Sequence, residues 1–88
     1  MSIPDQQMID TARQLANGRT ILQHGGYSNG AWTKAYITIV KDGRPEVGNY
    51  EAIVVTNHGS IRQTWGNSQR TLWARVRRET LALLAGSR

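Results

Sequence analysis

A chain of 88 residues can bury one small hydrophobic core but not two, so we predict a single domain over residues 1–88. Hydrophobic residues make up 39% of the chain and charged residues 19%, a balance typical of folded proteins that excludes a disordered polyelectrolyte. The absence of cysteine excludes disulfides and thiolate metal sites, and no apolar run approaches the roughly 20 residues that a membrane span needs. Since the chain begins with no recognisable signal sequence, we expect a cytoplasmic protein that does not contact a membrane.

The hydrophobic pattern predicts the elements in chain order. Apolar residues at helical spacing follow Ser2, which is placed to cap a helix, and Asn17-Gly18 supplies a stop. The pattern then changes to alternation over four runs rich in β-branched residues. A second helix follows Ser68 and ends before Gly86. The predicted elements are helices over 3–16 and 69–85 and strands over 19–24, 31–41, 50–57 and 60–65, with a glycine-rich loop over 25–30.

Four consecutive strands joined by short turns predict an α+β fold. We expect a four-stranded antiparallel meander sheet with the N-terminal and the C-terminal helix packed on one face (α-β-β-β-β-α). Alternation then assigns the faces, with the odd-numbered residues of all strands together. The odd-numbered set is apolar, includes Ile37, Ile53 and Val55, and would meet the helices. The even-numbered set would form an open surface of aromatic and basic side chains, namely Trp32, Lys34, Tyr36, Tyr50 and Arg62.

The net charge of +5 is concentrated in the last third of the chain. Residues 1–59 contain five basic and five acidic residues, which cancel, whereas residues 60–88 contain six arginines against Glu79 alone. Arginine suits bidentate contact with phosphate or carboxylate groups. This asymmetry favours an anionic partner that contacts one part of the surface.

The final helix combines an apolar stripe with most of this charge. We predict a buried stripe within an arc of about 120° on a helical wheel, formed by Leu72, Trp73, Val76, Thr80, Leu83 and Leu84. The arginines lie on both sides of the stripe and opposite it, instead of in one narrow line, so we do not expect base-specific recognition in a DNA groove. Contact with phosphates, attraction to an acidic protein and a merely solvated surface remain as alternatives.

Two histidines are the strongest candidates for catalytic chemistry. His24 and His58 end strands that run in the same direction, so they would share one sheet edge, about 10 Å apart. Such a pair could act in acid–base catalysis or, with a carboxylate, bind a metal. Each histidine is followed by glycine, however, and turn geometry accounts for that combination. Since no nucleophile, phosphate-loop or metal-binding motif occurs, we predict a non-enzyme with no catalytic residue, no metal and no cofactor.

These features favour a small non-catalytic protein-binding module, an inhibitor or adaptor of the kind encoded by phages and mobile elements. Its predicted contact residues are Tyr27, at the tip of the glycine-rich loop, together with Trp32, Tyr36 and Tyr50. A homodimer through the same sheet face would use the same residues. The alternative function is that of a nucleic-acid-binding accessory protein, which would contact phosphates through Arg62, Arg70, Arg75, Arg77 and Arg78.

Overall fold

The computed structural model describes residues 5–29, 33–41 and 48–86 and confirms the α-β-β-β-β-α order. The four strands form one antiparallel sheet in the order β1-β2-β3-β4, as expected for a meander. The elements are α1 (Asp5–Ala16), β1 (Ile21–Asn29), β2 (Thr33–Lys41), β3 (Tyr50–Thr56), β4 (Ile61–Gly66) and α2 (Gln69–Gly86).

Strand β1 is longer than the sequence pattern predicts. The stretch that begins at Gly25, predicted as a loop, continues the strand because its residues pair with β2, Gly25 with Ile37 and Tyr27 with Ala35. Gly25 serves packing instead of a turn, since a Cβ atom there would lie 3.2 Å from the ring of Trp73. The prediction that Tyr27 lies at a loop tip is therefore wrong.

The two helices pack on opposite faces of the sheet, so the prediction that they share one face is wrong. Helix α2 covers the face that carries Ile37 and Val54, whereas α1 covers the face that carries Ile53 and Val55. The reason lies in the register, because Ile37 pairs with Val54 and an odd residue of β2 therefore shares a face with even residues of β3. Each face consequently receives its own apolar set and needs its own helix.

The core is divided between these two faces. Helix α2 buries the predicted residues Leu72, Val76, Thr80 and Leu84, while Leu83 remains 46% exposed and departs from the predicted stripe. The cluster under α2 consists of Ala35, Ile37, Ile39, Ala52, Val54, Leu72, Val76 and Leu84. The cluster under α1 consists of Met8, Ala12, Ala16, Val40, Ile53 and Val55.

A buried ion pair fixes α1 to the sheet. The carboxylate of Glu51 on β3 is 1% exposed and accepts hydrogen bonds from the guanidinium of Arg19 at 3.1 and 3.3 Å. The amide of Gln63 on β4 donates a further hydrogen bond to the same carboxylate at 3.2 Å. Sequence analysis missed this pair, although an acidic residue inside the apolar run of β3 is a signal that a cation must lie nearby.

Candidate functional site

Helix α2 presents its basic residues to solvent because its apolar stripe is buried against the sheet. The helix follows Ser68, whose hydroxyl accepts a hydrogen bond from the backbone N–H of Thr71 at 3.4 Å. Outside the buried stripe, the side chains of Arg70, Arg77 and Arg78 are exposed, and that of Arg75 is half-buried.

The arginines border α2 on both sides, as the helical wheel predicts. On the β1 side, the guanidinium of Arg77 lies over the ring of Tyr27, 5.6 Å from its centroid, and Tyr27 in turn contacts Trp73 with ring centroids 6.3 Å apart. On the β4 side, Arg75 donates a hydrogen bond to the backbone carbonyl of Trp65 at 3.0 Å. The side chain of Arg77 therefore contributes to packing as well as to charge.

The outer surface of α2 contains a shallow pocket with three arginines around it. Arg70, Arg75 and Arg78 line this pocket of about 370 Å³ together with Thr71 and Ala74. On the neighbouring strand, the exposed side chain of Arg62 lines a second groove against the C-terminal half of α2. We call the five arginines together the basic surface, which consists of Arg62, Arg70, Arg75, Arg77 and Arg78.

No carboxylate forms an ion pair with this surface within the described part of the chain. The ion pairs there join Arg19 to Glu51 and Lys34 to Asp5, and none includes an arginine of α2. Helix α2 carries four arginines against one glutamate, a net charge of +3, whereas α1 carries two aspartates against one arginine, a net charge of −1. Since the two helices lie on opposite faces, the charge asymmetry of the sequence becomes an asymmetry between the faces of the molecule.

The predicted aromatic surface is divided between the two faces instead of lying open on one. Tyr50 packs against the cluster under α2, and Tyr36 packs against the cluster under α1 and contacts His24 with ring centroids 5.8 Å apart. Trp32 lies outside the described residues. The expectation of one continuous aromatic surface is therefore wrong, while a binding role for Tyr27, Tyr36 or Tyr50 individually stays a prediction.

The structure separates the two histidines. His24 pairs with Thr38, which pairs with Ile53, so His24 lies level with the middle of β3. His58 lies in an exposed turn after Thr56, the last residue of β3, which is already about 10 Å further along the sheet than Ile53. The expectation that they share an edge is wrong because β1 continues past His24. Among residues 5–29, 33–41 and 48–86, no three histidine or acidic side chains lie together as metal ligands would.

One pocket brings together two of the predicted protein-contact residues. It has a volume of about 360 Å³ and lies between the first turn of α1 and the β1–β2 hairpin, with Met8, Ile9, Tyr27 and Tyr36 in its lining. The pocket is open to solvent and combines apolar side chains with the ion pair between Lys34 and Asp5. It is the second surface that could contact a partner.

In the described part of the chain, neither helix is long and apolar enough to cross a membrane. The expected cytoplasmic location stays a prediction. No protein-family model matches this sequence, and comparisons with curated proteins and with solved structures likewise give no match.

Proposed function

We propose that the protein is a non-catalytic binding protein that contacts the phosphate backbone of nucleic acid through its basic surface. The observation that supports this proposal most strongly is the difference in charge between the two helices on opposite faces, +3 on α2 against −1 on α1. A surface on which arginines outnumber acidic residues and form no ion pair attracts a polyanion and orients the molecule toward it.

The arrangement of the arginines favours backbone contact over base recognition. Arg75 and Arg77 point to opposite sides of α2, toward β4 and β1 respectively. A helix that reads bases presents a few side chains along one line to the floor of a groove. Guanidinium groups spread over a broad surface instead suit the phosphates of a strand that passes across α2, with little preference for sequence.

A protein-binding module, an inhibitor or adaptor of the phage type, is the second candidate function. The observation that favours it is the open pocket on the α1 side, whose lining includes Met8, Ile9 and Tyr36. The case for it is weaker than the sequence pattern indicates, because Tyr27 and Tyr50 pack against the hydrophobic cluster under α2. Those tyrosines are already partly engaged within the molecule.

Fluorescence anisotropy with labelled single-stranded RNA, duplex RNA and duplex DNA tests the proposal. We expect affinity for at least one of these at physiological salt, and a loss of about tenfold or more in the double variant Arg70→Ala/Arg78→Ala. The matched control is Arg13→Ala/Lys34→Ala, which removes the same charge from the α1 side and should have little effect. Absence of binding even at low salt would contradict the proposal and favour the protein-binding module.

A further inference from the structure

The sheet has two outer edges, and the hydrogen-bond pattern identifies which backbone groups of each edge point away from the molecule. At the β4 edge, the backbone N–H of Thr56 donates to the carbonyl of Ser60 at 2.9 Å. Ser60 therefore bonds inward to the chain of β3, and backbone groups alternate in direction along a strand. Arg62 and Thr64 consequently also bond inward to β3, while the backbone groups of Ile61, Gln63 and Trp65 point outward.

The β4 edge is partly closed. The outward carbonyl of Trp65 accepts the hydrogen bond from Arg75 at 3.0 Å, and the exposed Arg62 adds a charge to the same strand. Charged side chains on an edge and groups that cover its backbone prevent another strand from pairing there. The β4 edge is therefore a poor site for a second sheet.

The β1 edge has the opposite character. The backbone N–H of Asn57 donates to the carbonyl of Lys34 at 3.0 Å, so even-numbered residues of β2 bond to β3 and odd-numbered residues bond to β1. On β1, Gly25 and Tyr27 consequently bond inward, while the backbone groups of three exposed residues point outward. These residues are His24, Gly26 and Ser28.

No Lys, Arg, Asp or Glu lies on β1 between Ile21 and Asn29, and among the residues that the structure describes its protection is limited to a β-bulge between Ile21 and Gln23. Beyond that bulge the strand offers N–H and C=O groups at three successive outward positions. Gly26 lies in the middle of them, and a Cβ atom built there would have no neighbour within 4 Å. An edge of this kind is a template for pairing with another strand.

We propose that a second copy of the chain pairs with this edge, β1 against β1 in antiparallel orientation, to form a twofold-symmetric dimer. Symmetry places Gly26 of the two copies opposite each other, so that His24 of one copy faces Ser28 of the other. A second copy suits this edge because β1 itself carries no charged residue, so that two copies of the strand pair without like charges on facing strand residues. Self-pairing through a charged strand would bring like charges directly opposite each other.

The dimer joins two four-stranded sheets into one of eight strands. Because the twofold axis lies perpendicular to the sheet, both copies of α2 lie on the same side, with their axes about 20 Å apart. The two basic surfaces then form one surface of twice the length. The dimer nevertheless goes beyond the proposed function and does not depend on it, since the same edge would pair in the absence of nucleic acid.

Analytical ultracentrifugation of the full chain without nucleic acid tests the dimer. We expect a mass that approaches twice the 9.8 kDa of one chain as concentration rises. Gly26→Lys, which places two like charges opposite each other at the axis, should return the mass to that of one chain. The matched control is Ile61→Lys, because Ile61 is exposed on the β4 edge and should leave the dimer intact. A wild-type chain that stays monomeric, or a dimer that Ile61→Lys dissociates and Gly26→Lys does not, would overturn the proposal.

Amide hydrogen exchange of the unmodified chain provides a second test that needs no variant. The amides of Gly25 and Tyr27 should be protected at every concentration, because they bond to β2. The amides of His24, Gly26 and Ser28 should exchange fast at low concentration and more slowly at high concentration, since only the second copy gives them acceptors. Fast exchange of these three amides at all concentrations would rule out pairing through β1.

Discussion

Arg19 closes the C-terminal end of α1 and, with the same guanidinium, pairs with the buried carboxylate of Glu51. Its side chain donates to the carbonyls of Leu15 and Ala16, each at 2.8 Å, and to both carboxylate oxygens of Glu51. One side chain thus satisfies helix-end carbonyls and a buried anion on β3. This pair holds α1 on its own face of the sheet, and the separation of the two helices is what places the basic surface alone on the other face.

We expect Arg19→Ala to lower the free energy of unfolding by about 3 kcal/mol, because it leaves the carboxylate of Glu51 buried without its cation. Lys34→Ala is the matched control, since the side chains of Lys34 and Asp5 are 42% and 66% exposed. That pair should contribute no more than about 0.5 kcal/mol. Urea denaturation measures both values, and equal losses would contradict the role of Arg19.

Gly48 occupies a position that no other residue fits. Its φ is 146°, and a Cβ atom there would lie 2.9 Å from the backbone nitrogen of Gly66. We expect Gly48→Ala to lower stability by about 2 kcal/mol or more, because both the backbone angle and the contact with backbone are strained. Gly26→Ala, at an open position, should change stability by less than about 1 kcal/mol at low protein concentration. Thermal melting of the two variants distinguishes the positions.

Tyr27 belongs to the packed structure of β1 and α2. We expect Tyr27→Ala to lower the free energy of unfolding by about 2 kcal/mol, because the ring loses its contacts with Trp73 and with the guanidinium of Arg77. A tyrosine at a loop tip would lose almost nothing on the same substitution. Chemical denaturation therefore tests the corrected position of Tyr27, and a variant as stable as the unmodified chain would argue against it.

The arginines of α2 should differ in what they contribute to stability. Arg75→Ala removes the hydrogen bond to the carbonyl of Trp65 and should cost about 1 kcal/mol. Arg78→Ala removes an exposed side chain and should change stability by less than about 0.5 kcal/mol. Urea denaturation of the two single variants measures the difference. Similar values would mean that Arg75 has no structural role, and would allow its use in binding experiments beside Arg70 and Arg78.

The sequence predicts the order of the elements and most of the buried stripe of α2, because both follow from local periodicity. The pairing of Ile37 with Val54 joins residues far apart in the sequence, and a shift of one residue in this pairing moves a strand's apolar side chains to the other face. The positions of the two helices therefore could not be derived from parity. Gly25 is likewise typical of a loop in the sequence, because its packing against the ring of Trp73 depends on a residue distant in the chain.

The same limits apply to the candidate site. A helical wheel of α2 predicts which arginines border its buried stripe, because these positions depend on helix geometry alone. The isolation of the basic surface from the acidic residues of α1 could not be predicted, because it depends on which face each helix covers. The predicted aromatic surface is wrong for the same reason, because the register of β2 and β3 places Tyr36 and Tyr50 on opposite faces.

The salt dependence of nucleic-acid affinity tests the central claim most directly. Each phosphate contact contributes about 0.9 to the slope of log K against log salt concentration for duplex DNA. We expect a measurable slope for the unmodified chain and a slope smaller by about 2 for Arg70→Ala/Arg78→Ala, with no change for Arg13→Ala/Lys34→Ala. Binding that is absent at low salt, or a slope that the α2 variant leaves unchanged, would contradict the assignment of the basic surface as a phosphate-binding site.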